Sequence, residues 1–91
     1  MTLYEVGIVI GKNLEVHHRN SKRYPIYVSF GRTNVVEGHF LVGVYGNGKT
    51  VAEAKRDYCR KLKGQMLCMD DMLDTYRKIQ LPKTVTLKRR S

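Results

Sequence analysis

Apolar and polar positions alternate most clearly from Tyr24 onward, where Ile26, Val28 and Phe30 fall on one side of an extended chain and Tyr27 and Ser29 on the other. This predicts a strand, with Pro25 at its start or on a sheet edge because proline has no amide to donate to a ladder. Gly31-Arg32-Thr33-Asn34 supplies a turn and Val35-Val36 run on. After Gly38 the segment from His39 to Tyr45 alternates again, with Phe40, Val42 and Val44 inward, as in an antiparallel hairpin or meander. Upstream, residues 3–10 (Leu-Tyr-Glu-Val-Gly-Ile-Val-Ile) are rich in β-branched and aromatic types and read as a first strand stopped by Gly11-Lys12-Asn13. Residues 14–23 are polar and basic, a loop or a short exposed strand followed by a turn at Asn20-Ser21.

The period changes after Gly46-Asn47-Gly48, which is expected to end the strand. Thr50-Val51-Ala52-Glu53 has the form of a capping box, in which hydroxyl and carboxylate each satisfy an orphan backbone donor. Val51, Ala54, Tyr58 and Leu62 then mark one apolar stripe, and Gly64 supplies a stop, so a helix is predicted at about 50–63. Its other faces carry Lys55, Arg56, Arg60, Lys61 and Lys63, cations that also suit the negative end of a helix. Residues 65–74 read either as a short strand plus turn or as a second helical turn. Residues 75–81 read as a closing strand with Tyr76, Ile79 and Leu81, stopped by Pro82. The basic tail at 83–91 either adds an edge strand or stays mobile. The sum is one α+β domain over residues 1–91, an antiparallel sheet of three to four strands with one main helix on one face, in the order β-β-β-α-β.

A chain of 91 residues has room for one modest core, which excludes a two-domain enzyme with an interdomain cleft. Its apolar runs are broken well before the roughly 18 residues a bilayer span needs, and the start Met-Thr-Leu-Tyr-Glu lacks a basic signal segment. A soluble, intracellular (cytoplasmic) protein with no membrane partner is expected. Cys59 and Cys68 form no Cys-x-x-Cys pair and read as free thiols, while His17, His18 and His39 lack ligand-like companions. Asp70, Asp71 and Asp74 read as a solvated acidic turn. No metal, no cofactor and no catalytic set is therefore expected, and the chain reads as a binding protein, not an enzyme.

Net charge is +9, concentrated in residues 11–32 and in the last fifteen residues. Such a field accelerates encounter with polyanions and favours phosphate contacts through counterion release. The expected partner is a nucleic acid or a nucleic-acid-bound protein complex, held by Lys49, Lys55, Arg56, Arg60, Lys63, Lys88, Arg89 and Arg90. Tyr27 and Tyr45, opposite the apolar stripes, are candidate aromatic contacts. An open strand edge would also permit a homodimer.

One motif needs separate treatment. Gly43 to Thr50 matches the phosphate-loop pattern G-x-x-x-x-G-K-[ST] between a predicted strand and a helix, and Asp70 after Met66-Leu67-Cys68-Met69 imitates the companion magnesium motif. A hydrolytic loop needs a parallel sheet and a bracing shell that a chain of 91 residues, about 45 of them before the loop's helix, cannot easily supply. Two readings remain: a passive phosphate site at the helix start beside Lys49, in which case Lys49→Ala weakens anion binding, or glycines that permit a tight turn before a Thr50 cap.

Ile26-Tyr27-Val28-Ser29-Phe30, Gly48-Lys49-Thr50-Val51-Ala52-Glu53-Ala54 and Ile79-Gln80-Leu81-Pro82 together resemble the HicB-like fold, a truncated relative of the double-stranded-RNA-binding domain, over about residues 24–82. Gly43, Tyr45, Gly46, Gly48, Thr50, Glu53, Ala54, Tyr58 and Cys59 are also similar to a pattern in small accessory proteins of phages of Gram-positive bacteria. These resemblances imply a stoichiometric, phage-encoded inhibitor of a nucleic-acid-processing complex such as a host-defence nuclease or CRISPR effector. The alternatives are a small basic DNA- or RNA-binding module and a HicB-type antitoxin that binds a toxin ribonuclease. Against the antitoxin stand the chain's basic charge and the lack of room after Pro82 for the family's additional DNA-binding domain.

Overall fold

The computed structural model describes residues 1–88. The elements run α1 (Leu3–Ile10), β1 (Leu14–His18), β2 (Ile26–Phe30), β3 (Thr33–Glu37), β4 (Phe40–Val42), β5 (Gly46–Gly48), α2 (Val51–Leu62), β6 (Met66–Met69) and β7 (Arg77–Gln80). The α+β class and the antiparallel pairing expected from the sequence are both present. The strand expected at 3–10 is instead a helix. Thr2 caps it: its hydroxyl accepts from the Glu5 amide at 3.1 Å, while the Glu5 carboxylate accepts from the Thr2 amide at 3.0 Å. Gly11, at φ 70°, closes it in the left-handed conformation that glycine adopts without strain. Leu3, Val6, Gly7 and Ile10 are buried at helical spacing, so the caps and the packing override the β preference of Val6, Ile8, Val9 and Ile10.

The strands form two sheets, β1-β2-β5 and β4-β3-β6-β7. Only Gly31 and Arg32 separate β2 from β3, yet the two lie in different sheets; the chain turns the corner at Arg32 (φ 50°), whose carbonyl accepts from the Asp70 amide at 2.8 Å. Of the two strands expected at Ile26–Phe30 and at residues 75–81, β2 lies in one sheet and β7 in the other. Gly46-Asn47-Gly48 does not end a strand but is one, paired with β2 through Val28↔Gly46 and Ile26↔Gly48. Residues 66–69 settle as a strand between β3 and β7. Phe40, expected inward, is 74% exposed on the edge strand β4.

Helix α2 lies across β5 and β2 and buries Ala54, Tyr58, Cys59 and Leu62. They join Leu3, Val6, Ile10, Val28, Phe30, Val35, Leu67, Met69, Leu81 and Val85 in one apolar cluster. Tyr58 anchors it: its hydroxyl accepts from the Phe30 amide at 3.1 Å, and burial pushes its pKa up to about 12 although that bond works in the opposite direction. Cys59 and Cys68 are free and buried. The tail is docked as far as it is described: Val85 is buried, and Thr86 bridges Thr2 in parallel, its carbonyl accepting from the Leu3 amide at 2.9 Å. Arg89 and Arg90 lie outside the described residues.

Candidate nucleic-acid interface

In the sheet β1-β2-β5, Leu14, Val16 and His18 lie opposite Phe30, Val28 and Ile26 on one face, so Glu15 and His17 share the other face with Ser29 and Tyr27. His17 stacks on Tyr27 with ring centroids 4.9 Å apart, and Tyr45 meets Tyr27 edge-on at 5.7 Å. The Arg19 guanidinium lies over the Tyr27 ring, 4.3 Å from its centroid, and also donates to the Asn47 side-chain oxygen. These side chains line an open depression on that face. The two tyrosines expected as recognition residues are thus brought together, and His17 and Arg19 join them.

Asn47 connects this face to a groove of about 800 Å³ beside α2, lined by Arg23, Tyr24, Asn47, Lys49, Arg56, Arg60 and Lys61 with the acids Glu53 and Asp57. Lys61 donates to the Tyr45 carbonyl at 2.9 Å, a second link between the two surfaces. Asp57 holds the groove wall by accepting from the Asn47 amide and Lys61 (both 2.8 Å) and from Arg60. Desolvation tends to raise the Asp57 pKa, but the bonds from Lys61 and Asn47 and the charges of Lys61 and Arg60 outweigh it and hold the group below its ordinary 3.8. Arg23, Lys49 and Arg56 have no acidic partner at ion-pair distance among the described residues.

The predicted basic residues therefore divide. Lys49, Arg56 and Arg60 share the groove. Lys63 is exposed at the C-terminal cap of α2, and Lys88 is exposed in the docked tail. Lys55 is half-buried on the other flank of α2, where it borders a hollow lined by Leu3, Ile8, Phe30 and Leu87. A helix places residues 55 and 56 about 100° apart, which separates them once the Tyr58 stripe is buried. Sequence reasoning missed Arg19, His17, Asn47, Arg23 and Tyr24; the available signal was the parity of 15, 17 and 19, which faces Tyr27 only if β1 and β2 pair in this register.

The phosphate-loop likeness dissolves into packing. A Cβ on Gly46 would lie 2.1 Å from the Ala54 carbonyl oxygen, and one on Gly48 would lie 2.5 Å from the Ala54 nitrogen, so both glycines exist to let β5 touch the backbone of α2. Each strand pair in both sheets is antiparallel, unlike the parallel scaffold such a loop needs. Amides that would cradle phosphate are already engaged: Asn47 donates to Asp57, and Lys49 donates to Glu53 Oε2 at 2.9 Å. The expected capping box is accordingly shifted by one residue, since Glu53 reaches the Lys49 amide and not that of Thr50, while the Thr50 hydroxyl accepts from the Glu53 amide at 3.1 Å.

Asp70 is buried, not solvated, and pairs with Lys12 at 2.5 Å. The Lys12 hydrogen bond, with a second from Thr75, holds its carboxyl below the ordinary 3.8. No group of three or more metal-ligating side chains occurs among the described residues, and no described helix is long and apolar enough to cross a membrane. Because Asp57 and Asp70 both titrate lower in the folded state, their stabilisation is complete above pH 3.8 and is lost as pH falls through their folded values. Urea midpoints are expected to hold steady down to about pH 4 and then drop, with the drop reduced in Asp57→Asn. Equal acid sensitivity in that variant would show that Asp57 is not the group responsible.

No family model, curated protein or solved structure matches this chain.

Proposed function

We propose that this protein is a non-enzymatic binder of single-stranded nucleic acid. The observation that carries the proposal is the cluster of Tyr27, His17, Arg19 and Tyr45 on an open sheet face, continuous through Asn47 with a groove that holds five cations against two carboxylates. Flat rings and a guanidinium offer surfaces on which unpaired bases stack irrespective of sequence, and neighbouring cations take the phosphates. A duplex keeps its base faces covered and could use only the cations. Inhibition of a nuclease complex and antitoxin activity would need a protein-facing contact, whereas these are the groups that meet nucleic acid directly.

Fluorescence anisotropy of labelled single-stranded and duplex DNA and RNA across a salt series tests the proposal. With Arg23, Lys49 and Arg56 unpaired and Arg19 beside them, three to four phosphate contacts give a log–log slope of about −2 to −3 on single strands. Duplexes of equal length are expected to bind more weakly. Absence of binding to any strand at low salt, or affinity independent of salt, would overturn the proposal.

A further inference from the structure

Helix α1 has an outer face unlike that of an ordinary surface helix. Tyr4 is 77% exposed, Ile8 62%, Val9 42% and the preceding Met1 43%. Glu5 is the one charged residue in the helix, and its carboxylate closes the N-terminal cap. Helices of soluble proteins that carry apolar residues all round are normally covered on every side. Tyr4 and Ile8, four residues apart, form a ridge, and beside it runs a hollow of about 410 Å³ walled by Leu14, Phe30 and Leu87 with Lys12, Asn13 and Lys55 at its borders.

We infer that this face is the contact between two copies of the chain in a two-fold dimer, built on α1 and separate from the open strand edges. Ridge and hollow lie side by side on one surface, so a two-fold axis seats the Tyr4–Ile8 ridge of each protomer in the hollow of the other, the self-complementarity an isologous contact requires. Charge does not oppose this occupant: the Tyr4–Ile8 ridge is uncharged, the Glu5 carboxylate closes the cap, and of the two lysines that line the hollow Lys12 is paired with Asp70, which leaves Lys55 at its wall. The area is sufficient. Exposed surface on Met1, Tyr4 and Ile8 comes to roughly 350 Å², and two such patches with the hollow's walls approach about 1,000 Å², the lower bound of specific interfaces.

The contact is independent of the nucleic-acid proposal and responds to salt in the opposite sense. Two copies of charge +9 repel each other, and added salt screens that repulsion while leaving apolar association intact. The test is sedimentation equilibrium of the full chain, without nucleic acid, from micromolar to hundred-micromolar concentration at low and high salt. The expected result is a monomer–dimer equilibrium that tightens with salt. Ile8→Lys should weaken it at least tenfold while Ile8→Met retains it. Lysine is a good helix former and suits the C-terminal half of a helix, so thermal melting of dilute Ile8→Lys by circular dichroism should match the wild type. A monomer at every salt and concentration, assembly beyond a dimer, or a dimer undiminished in folded Ile8→Lys would overturn the inference. So would binding to neutral lipid vesicles by a chain that stays monomeric, since that would assign the face to a membrane.

Discussion

Gly46→Ala is expected to cost about 3 kcal/mol or more and to lower the melting temperature by about 12 to 24 °C. The added Cβ would meet the Ala54 carbonyl oxygen at 2.1 Å, the Tyr58 Cβ at 2.5 Å and the Tyr58 nitrogen at 2.8 Å. None of these is the free end of a flexible side chain. Relief therefore requires β5 and α2 to part, which would loosen the Tyr58 hydroxyl from the Phe30 amide and open the core. Gly43→Ala is the informative control. Its Cβ would meet only the Tyr45 ring at 3.7 Å and the Asn34 side-chain oxygen at 3.9 Å, both ordinary contacts, so stability should change by no more than about 0.5 kcal/mol. Thermal or urea melts of the pair decide the origin of the motif. A mild Gly46→Ala would show that β5 and α2 are not in backbone contact, and a severe Gly43→Ala would restore a requirement for the first glycine of the loop pattern.

Tyr27→Leu is expected to weaken single-strand binding roughly 5- to 150-fold, because Tyr27 holds His17, Arg19 and Tyr45 in place and stacking one base on such a platform contributes about 1 to 3 kcal/mol. Leucine keeps an apolar side chain at this position of β2 but removes the ring that Arg19 covers and against which His17 and Tyr45 rest. No charge changes, so the salt slope should stay as in the wild type; Arg56→Ala should instead reduce it by about 0.7. Phe40→Leu, on an exposed aromatic of the other sheet, should leave affinity unaltered. Unaltered affinity in Tyr27→Leu would mean that the cations act alone and that the sheet face is not a stacking platform.

Much of the fold was legible where local signals agreed. The strand at Ile26–Phe30 shows a clean two-residue alternation, and helix α2 has a Thr50 cap, a stripe of buried residues and a glycine stop. The N-terminal helix was misread although Thr2-Leu3-Tyr4-Glu5 carries the same Thr-x-x-Glu signature as Thr50 to Glu53. The run Val6-Gly7-Ile8-Val9-Ile10 is apolar at nearly every position, so it shows no period to separate helix from strand, and β-branched composition then points the wrong way. Phe40 was misplaced for a related reason: alternation says that two sides differ, not which of them the rest of the chain will cover.

The candidate site was legible in part. Net positive charge and exposed tyrosines are properties of composition and strand parity, and by themselves they point to Tyr27, Tyr45, Lys49, Arg56 and Arg60. Which cations act together was not, because Lys55 and Arg56 are neighbours in the chain, yet Lys55 is half-buried beside the apolar stripe and borders one hollow while Arg56 is exposed and lines the other.

By itself the sequence determined the α+β class, the position of α2, the strand at Ile26–Phe30 and the strongly basic character of the chain, since each is written in residues close together or in simple sums. Only the tertiary structure decided that β2 and β3 part into two sheets, that Gly46 and Gly48 serve backbone contact with α2, and that Arg19 and His17 meet Tyr27 across a strand pair. Those outcomes depend on register and close approach between segments far apart in the chain, and no local pattern of residue types records either.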